Sequence, residues 1–177
     1  MRYFILCSFL ALFAYAPGQA ASAGEKISYQ RKLDDSRIEN RFSDGLRRAG
    51  RHLDKKETRV RSYNGYVLLY GRVDNAALKA AAEKHATSLE GVRRVFNQLK
   101  VGVAQPNWFN QFALNAIIRS NLLTASTFDG SRIKFESFHN VVYLMGLVSS
   151  AEAADAVDLV SSINDVDEIV TLFEYTD

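Results

Sequence analysis

The chain contains one pattern twice. Val67-Leu-Leu-Tyr-Gly71 returns as Val142-Tyr-Leu-Met-Gly146 at a fixed offset, and the match extends in both directions. Upstream, Thr58-Arg-Val60 and Tyr63 pair with Ile133-Lys-Phe135 and Phe138, and Asn64-Gly65 pairs with His139-Asn140. Downstream, Asn75-Ala-Ala-Leu-Lys-Ala-Ala81 pairs with Ser150-Ala-Glu-Ala-Ala-Asp-Ala156. After a one-residue slip, Leu89-Glu-Gly-Val-Arg-Arg-Val95 pairs with Ile163-Asn-Asp-Val-Asp-Glu-Ile169. A unit of about 70 residues that occurs twice must bury equivalent side chains twice, so whatever architecture one copy adopts the other shares.

Each copy reads alike locally. Ile38, Phe42 and Leu46 recur at four-residue spacing, as do Leu114, Ile118 and Leu122, which predicts an amphipathic helix at the start of each copy. Thr58-Arg-Val-Arg-Ser-Tyr63 then alternates as a half-buried strand does, Asn64-Gly65 signals a hairpin, and Tyr66-Val-Leu-Leu-Tyr-Gly71 returns. The second copy repeats this over residues 132–138 and 141–146, with His139-Asn140 at the turn. A second helix follows, capped by Asp74 or Asn75 in one copy and by Ser149 or Ser150 in the other. Residues 92–101 and 166–175 close the copies as a last strand. The expected fold class is α+β: two tandem αββαβ modules, each a three-stranded mixed sheet covered by two helices.

The first residues read as an export signal. After Arg2 comes an apolar run of about 14 residues, broken by Pro17-Gly18 and followed by small residues suited to signal peptidase. As a helix the run reaches about 21 Å, short of a hydrocarbon core of roughly 30 Å. The expected layout is a signal peptide at 1–23, a flexible polar segment at 24–34 and a first module at 35–103. A linker at 104–107 containing Pro106 leads to a second module at 108–177. The one cysteine, Cys7, lies inside the signal and follows Leu6, where acylation would need a small residue. The exported chain is therefore expected to carry neither a disulfide nor a cysteine–metal site.

Catalytic patterns are missing from the sequence. His52, His85 and His139 fall in a loop, on a helix face and in a hairpin turn, none with a second ligand at metal spacing. There is no glycine-rich phosphate loop and no nucleophile elbow. Asp165, Asp167 and Glu168 cluster at one turn and read as a solvated acidic corner. The chain is expected not to be an enzyme and to need no cofactor or metal.

These marks resemble the BON domain, a bacterial module of αββαβ order. They are the strands ending in Gly71 and Gly146, a helix soon after each, and Glu90-Gly91-Val92 before the last strand, which becomes Asp165-Val166 in the second copy. The resemblance spans about residues 35 to 175. Arg119-Ser-Asn-Leu-Leu-Thr124 and Val142-Tyr-Leu-Met-Gly-Leu-Val148 look most like the second domain of the DolP group, two-domain lipoproteins of the periplasm and outer membrane. The resemblance implies peripheral binding to phospholipid, often anionic, and support of outer-envelope integrity. It also implies that the first helix of the second module faces lipid, beginning with an aromatic residue. In this chain Ala113 stands where the group has its tryptophan, and Trp108 lies about five residues earlier.

Charge separates the copies. Residues 24–103 carry eighteen Lys and Arg against ten Asp and Glu, net +8; residues 104–177 carry three against ten, net −7. A basic first module suits anionic headgroups, with Arg47, Arg48 and Arg51 as contacts. Opposite signs equally suit attraction between modules, within one chain or between copies. In residues 107–123 the core needs only Leu114, Ile118 and Leu122. That leaves Trp108, Phe109 and Phe112 as surplus apolar area beside one cation, Arg119, with Ile117 and Leu123 adding to it. Two readings of these aromatics stand: a wedge inserted into lipid, or packing between modules. The expected partner is an anionic phospholipid membrane, in the periplasm or peripheral to the outer membrane. The alternatives are an adaptor that binds itself or another envelope protein, and an osmotic-stress periplasmic protein with chaperone-like activity. Nucleic acid is not an expected partner, because an exported protein rarely meets it.

Overall fold

The computed structural model describes residues 29–48, 58–102 and 109–177, and these fall into two compact units. The first consists of α1 (Tyr29–Arg48), β1 (Thr58–Tyr63), β2 (Tyr66–Val73), α2 (Ala76–Thr87) and β3 (Arg94–Val101). The second consists of α3 (Phe109–Thr124), β4 (Ile133–Phe138), β5 (Val141–Val148), α4 (Ser150–Ser161) and β6 (Glu168–Tyr175), with one turn of 3-10 helix at Gly130–Arg132. Both are αββαβ and the fold class is α+β, as the repeat requires.

Each sheet is mixed, with the middle strand of the chain order at its centre. β1 runs antiparallel to β2, Tyr63 opposite Tyr66 and Val60 opposite Leu69. β3 runs parallel to β2, from Tyr66 opposite Arg94 to Val73 opposite Val101. Parallel pairing demands a crossover, which α2 and α4 supply. The hairpins turn through Asn64 (φ 52°) and Gly65 (φ 77°), and through His139 (φ 48°) and Asn140 (φ 62°). Two consecutive left-handed residues make the twist-compatible two-residue turn, and asparagine and histidine tolerate that region better than most side chains.

The cores are the expected ones. Ile38, Phe42 and Leu46 pack with Val67, Leu69, Val73, Ala82, Ala86 and Leu99. Leu114, Ile118 and Leu122 pack with Val142, Leu144, Val148, Ala156, Val160 and Phe173. The central strands are not half-buried: Val67 through Gly71 and Val141 through Gly146 are buried without a break. Such a continuous run reads as a strand covered on both faces.

Several boundaries differ from the sequence expectation, each for a local reason. α1 starts at Tyr29, so residues 29–34, expected to be irregular, are helical. Gln30 Nε2 donates to Asp34, and Arg37 Nη1 donates to Asp34 at 2.9 Å, pairs at helical spacing that hold the first turns. The last strands begin two residues later than expected. The residues before them are tied to the hairpin turns instead: Arg93 N donates to Gly65 O and Asp167 N to Asn140 O. The slip between copies falls before the second helix rather than after it. Asn75 Oδ1 accepts from Leu78 N, whereas Ser149 Oγ accepts from Glu152 N in a capping box, so Asn75 corresponds to Ser149. Ala82 and Ala86 then match Ala156 and Val160 in the two cores.

His85 lies on α2, as expected, and is half-buried there, with its ring stacked 5.5 Å from that of Phe42. Gly45 makes the room, since a Cβ there would stand 2.2 Å from His85 Nε2. In the second unit Tyr143 is buried in β5. Burial, with a smaller contribution from the negative charge of Glu168, raises its hydroxyl from 10.0 to about 12. A raised acid is stabilising below the unfolded value and loses that contribution as pH climbs to the folded one. Stability is thus expected to fall between about pH 10 and 12 by up to about 2–3 kcal/mol from this group. Urea titrations across that range should show a shallower alkaline decline in Tyr143→Phe; an unchanged slope would contradict the assignment.

Candidate functional site

What holds the first helix of each unit against its sheet is a polar clasp as well as the apolar stripe. In the first unit the Asp35 carboxylate, 6% exposed, accepts from Ser62 Oγ (2.6 Å), Asn64 N (2.9 Å) and Gly65 N (2.9 Å). One turn on, Glu39 accepts from Ser62 N at 2.8 Å and pairs with Arg61 at 3.4 Å. In the second unit Gln111 and Asn115 take the same places: Gln111 Nε2 donates to Ser137 Oγ, which donates to Asn115 Oδ1. Gln111 Oε1 accepts from His139 N at 3.1 Å. Carboxylates do in one copy what amides do in the other. Sequence reasoning missed these residues, although a signal was there: Ser62 and Ser137 continue the faces of Val60 and Phe135, placing a hydroxyl on the core side of both hairpins.

The clasp fixes how α3 is rolled. Gln111, Leu114, Asn115, Ile118 and Leu122 turn toward the sheet, so the opposite face is presented outward. That outer surface carries Phe112 (83% exposed) and Leu123 (65%), and Ile117 (47%) roughly a third of a turn round from them, with Ala113 and Ala116 exposed between. Phe112 and Leu123 are three helical turns apart and nearly in line. Arg119 is exposed on the same side, its guanidinium 5.7 Å from the Phe135 ring centroid, a cation–π distance. It is the one charge on α3, and no acidic residue lies on the helix. Exposed large apolar side chains are ordinary when scattered; gathered on one helix face they mark a surface meant to be covered.

Of the other expected contacts, Phe109 is the first residue of α3, and Arg47 and Arg48 are the last two of α1, with side chains outside the described set. Trp108 and Arg51 lie outside the described residues, as do the signal peptide at 1–23 and the linker at 104–107. Thus Phe112 and Arg119 are brought together on one face, joined by Leu123, while Ile117 is exposed further round the helix. Among the described residues no group of three or more His, Cys, Asp and Glu side chains could hold a metal, and no helix is long and apolar enough to cross a membrane.

Two αββαβ units, each clasped helix to hairpin, define a tandem-module protein. The BON domain family model matches residues 34–103 and 110–177, and the chain belongs to that family. It is similar to the outer membrane lipoprotein DolP of Haemophilus influenzae, 27% identical over 82% of this chain and 77% of that one. It is also similar to a 21 kDa hemolysin of Actinobacillus pleuropneumoniae, 26% identical over 90% and 80%. Among solved structures the C-terminal domain of CdsD, a type III secretion structural protein of Chlamydia trachomatis, matches 77% of this chain and 63% of its own. Its identity is 15% and its TM-score 0.29.

Proposed function

We propose that this chain is a non-enzymatic, exported envelope protein that binds phospholipid membrane peripherally through the outer face of α3 and supports outer-envelope integrity. One observation carries the reading: Phe112 and Leu123 stand exposed in line on a helix whose single charge, Arg119, is cationic and lies on the same side. Moving one large side chain from water into the headgroup–acyl boundary contributes about 1.5–3 kcal/mol when burial is complete. An acid-free face adds no repulsion from anionic lipid. Trp108 and Phe109, just before and at the start of α3, extend the wedge, and tryptophan favours the headgroup level. Arg47, Arg48 and Arg51 contribute attraction from the basic first unit, about 1 kcal/mol for each that reaches the surface. The DolP relative is named an outer membrane lipoprotein, which supports placing this chain in the periplasm, peripheral to that membrane.

Co-sedimentation with phosphatidylglycerol vesicles tests it. The protein is expected to pellet at low salt, and Phe112→Ala to weaken binding by about ten- to a hundredfold. Because Phe112 is exposed, its loss leaves the fold intact, which circular dichroism verifies. A wild-type protein left in the supernatant, or a Phe112→Ala variant pelleting undiminished, would move the reading to an adaptor for another envelope protein or a second copy.

A further inference from the structure

The side of α3 that carries Ala113 and Ile117 has another chemistry in the first unit. With Ile38, Phe42 and Leu46 matched to Leu114, Ile118 and Leu122, the positions of Ala113 and Ile117 become Arg37 and Arg41 in α1. Beside them lies a groove of about 240 Å³. One wall is the α1 stripe with Arg31, Arg37 and Arg41 beside Asp34 and Asp35, and with Ile38. The other wall is two turns, at Gly65 and at Gly91.

Both turns are left-handed glycines, φ 77° and 86°, so no side chain fills the space. The two are locked together: Arg93 N donates to Gly65 O at 2.8 Å, and a Cβ on Gly65 would come within 2.7 Å of Gly91 O. In the second unit the same turn positions carry Asn140 (φ 62°) and Asp165 (φ 69°), one of them an acid. An open, arginine-lined groove is therefore a feature of the first unit's sequence and not of the shared fold.

The acids around it do not neutralise it tightly. Arg37 pairs with Asp34 at 2.9 Å and Arg41 with Glu90 at 3.2 Å, but the side chains are 61% and 41% exposed in one pair and 53% and 87% in the other. Pairs so exposed are weak and exchange readily. Asp35, below, is committed to the hairpin. Here Asp34 and Glu90 each hold a single arginine, whereas a tetrahedral phosphate dianion has acceptor oxygens enough to take both guanidiniums together. We propose that this groove binds a phosphate group, borne by a lipid headgroup or by a soluble phosphomonoester. The inference does not depend on α3, whose face it leaves untouched.

Titration of the protein with sodium phosphate, against sodium chloride at equal ionic strength and followed by amide chemical shifts, tests the proposal. Saturable shifts are expected at Gly65 and Gly91. Binding is expected to weaken by about tenfold or more in Arg37→Gln/Arg41→Gln, where two charge-assisted contacts are lost. A second variant, Gly91→Asp, installs the acid that the sister turn tolerates at the same φ, and should abolish the shifts while the remaining amide spectrum stays native. Two further arms separate the sources. If vesicles containing phosphatidic acid lose affinity for the Gln variant while Phe112→Ala leaves the phosphate titration unchanged, the headgroup is the ligand. If glycerol 3-phosphate binds as phosphate does and vesicle affinity is indifferent to the Gln variant, the ligand is soluble. Either outcome supports phosphate recognition. Shifts absent from both glycines, or undiminished in both variants, would overturn it without touching the α3 reading.

Discussion

Glu152→Ala is expected to destabilise the second unit by about 3–5 kcal/mol, because it strands a buried cation. Arg132 has a side chain 6% exposed; its Nη1 donates to Glu152 Oε1 at 2.7 Å and its Nη2 to the Leu147 carbonyl at 2.5 Å. The other carboxylate oxygen, Oε2, accepts from Ser149 N at 2.8 Å and completes the capping box of α4. One side chain thus neutralises a guanidinium and closes a helix end, and loss of the cap adds about 1 kcal/mol. In a unit of this size the melting temperature should drop by well over 10 °C, at roughly 4–8 °C per kcal/mol. A buried pair is costly mainly when half of it is removed. The double variant Arg132→Met/Glu152→Gln, which removes both charges and keeps a capping amide, should therefore recover most of the loss. Calorimetry of the three proteins decides it; a double variant no more stable than Glu152→Ala would contradict the account.

Asp35→Ala should have a comparable effect in the first unit. It leaves the Ser62 hydroxyl, on a residue that is 0% exposed, and the two amides of the β1–β2 turn without their acceptor. Each buried polar group left unsatisfied costs about 1–3 kcal/mol, so a loss of about 3 kcal/mol or more is expected. Asp35→Asn keeps one acceptor oxygen and should cost roughly half as much; an amide is what the second unit uses at Gln111. Hydrogen exchange provides the local readout. The amides of Asn64 and Gly65 should exchange faster in Asp35→Ala while those of β4 and β5 do not change. Protection at the turn equal to wild type would show that the clasp is incidental.

The two predictions concern residues of different legibility. Glu152 stands three residues after Ser149, a capping pattern visible in the chain, yet its pairing with Arg132 joins residues twenty apart that no periodicity links. The clasp was less visible still. Asp35 and Gln111 share a place in the repeat but not a chemistry, and a comparison of residue types passes over them. The same applies to the groove: Gly65 and Gly91 are unremarkable turn glycines until the β1–β2 turn and the α2–β3 turn are known to touch. For the α3 face the order was reversed. Three apolar positions at four-residue spacing accounted for the core, so the remaining aromatics and aliphatics had to face elsewhere. Phe112, Ile117 and Leu123 do so.

Periodicity and duplication were enough to establish the αββαβ order, the strand pairing through two tight turns, the core stripes of α1 and α3 and the division into two copies. All of these are local or repeated regularities that side-chain spacing encodes directly. Folding settled the rest: the roll of α3 about its axis, the burial of β2 and β5 on both faces, the ion pair under α4, and the open ground between two glycine turns. Those depend on contacts between residues distant in the chain. Only packing brings such residues within the few ångströms where hydrogen bonds and sterics act.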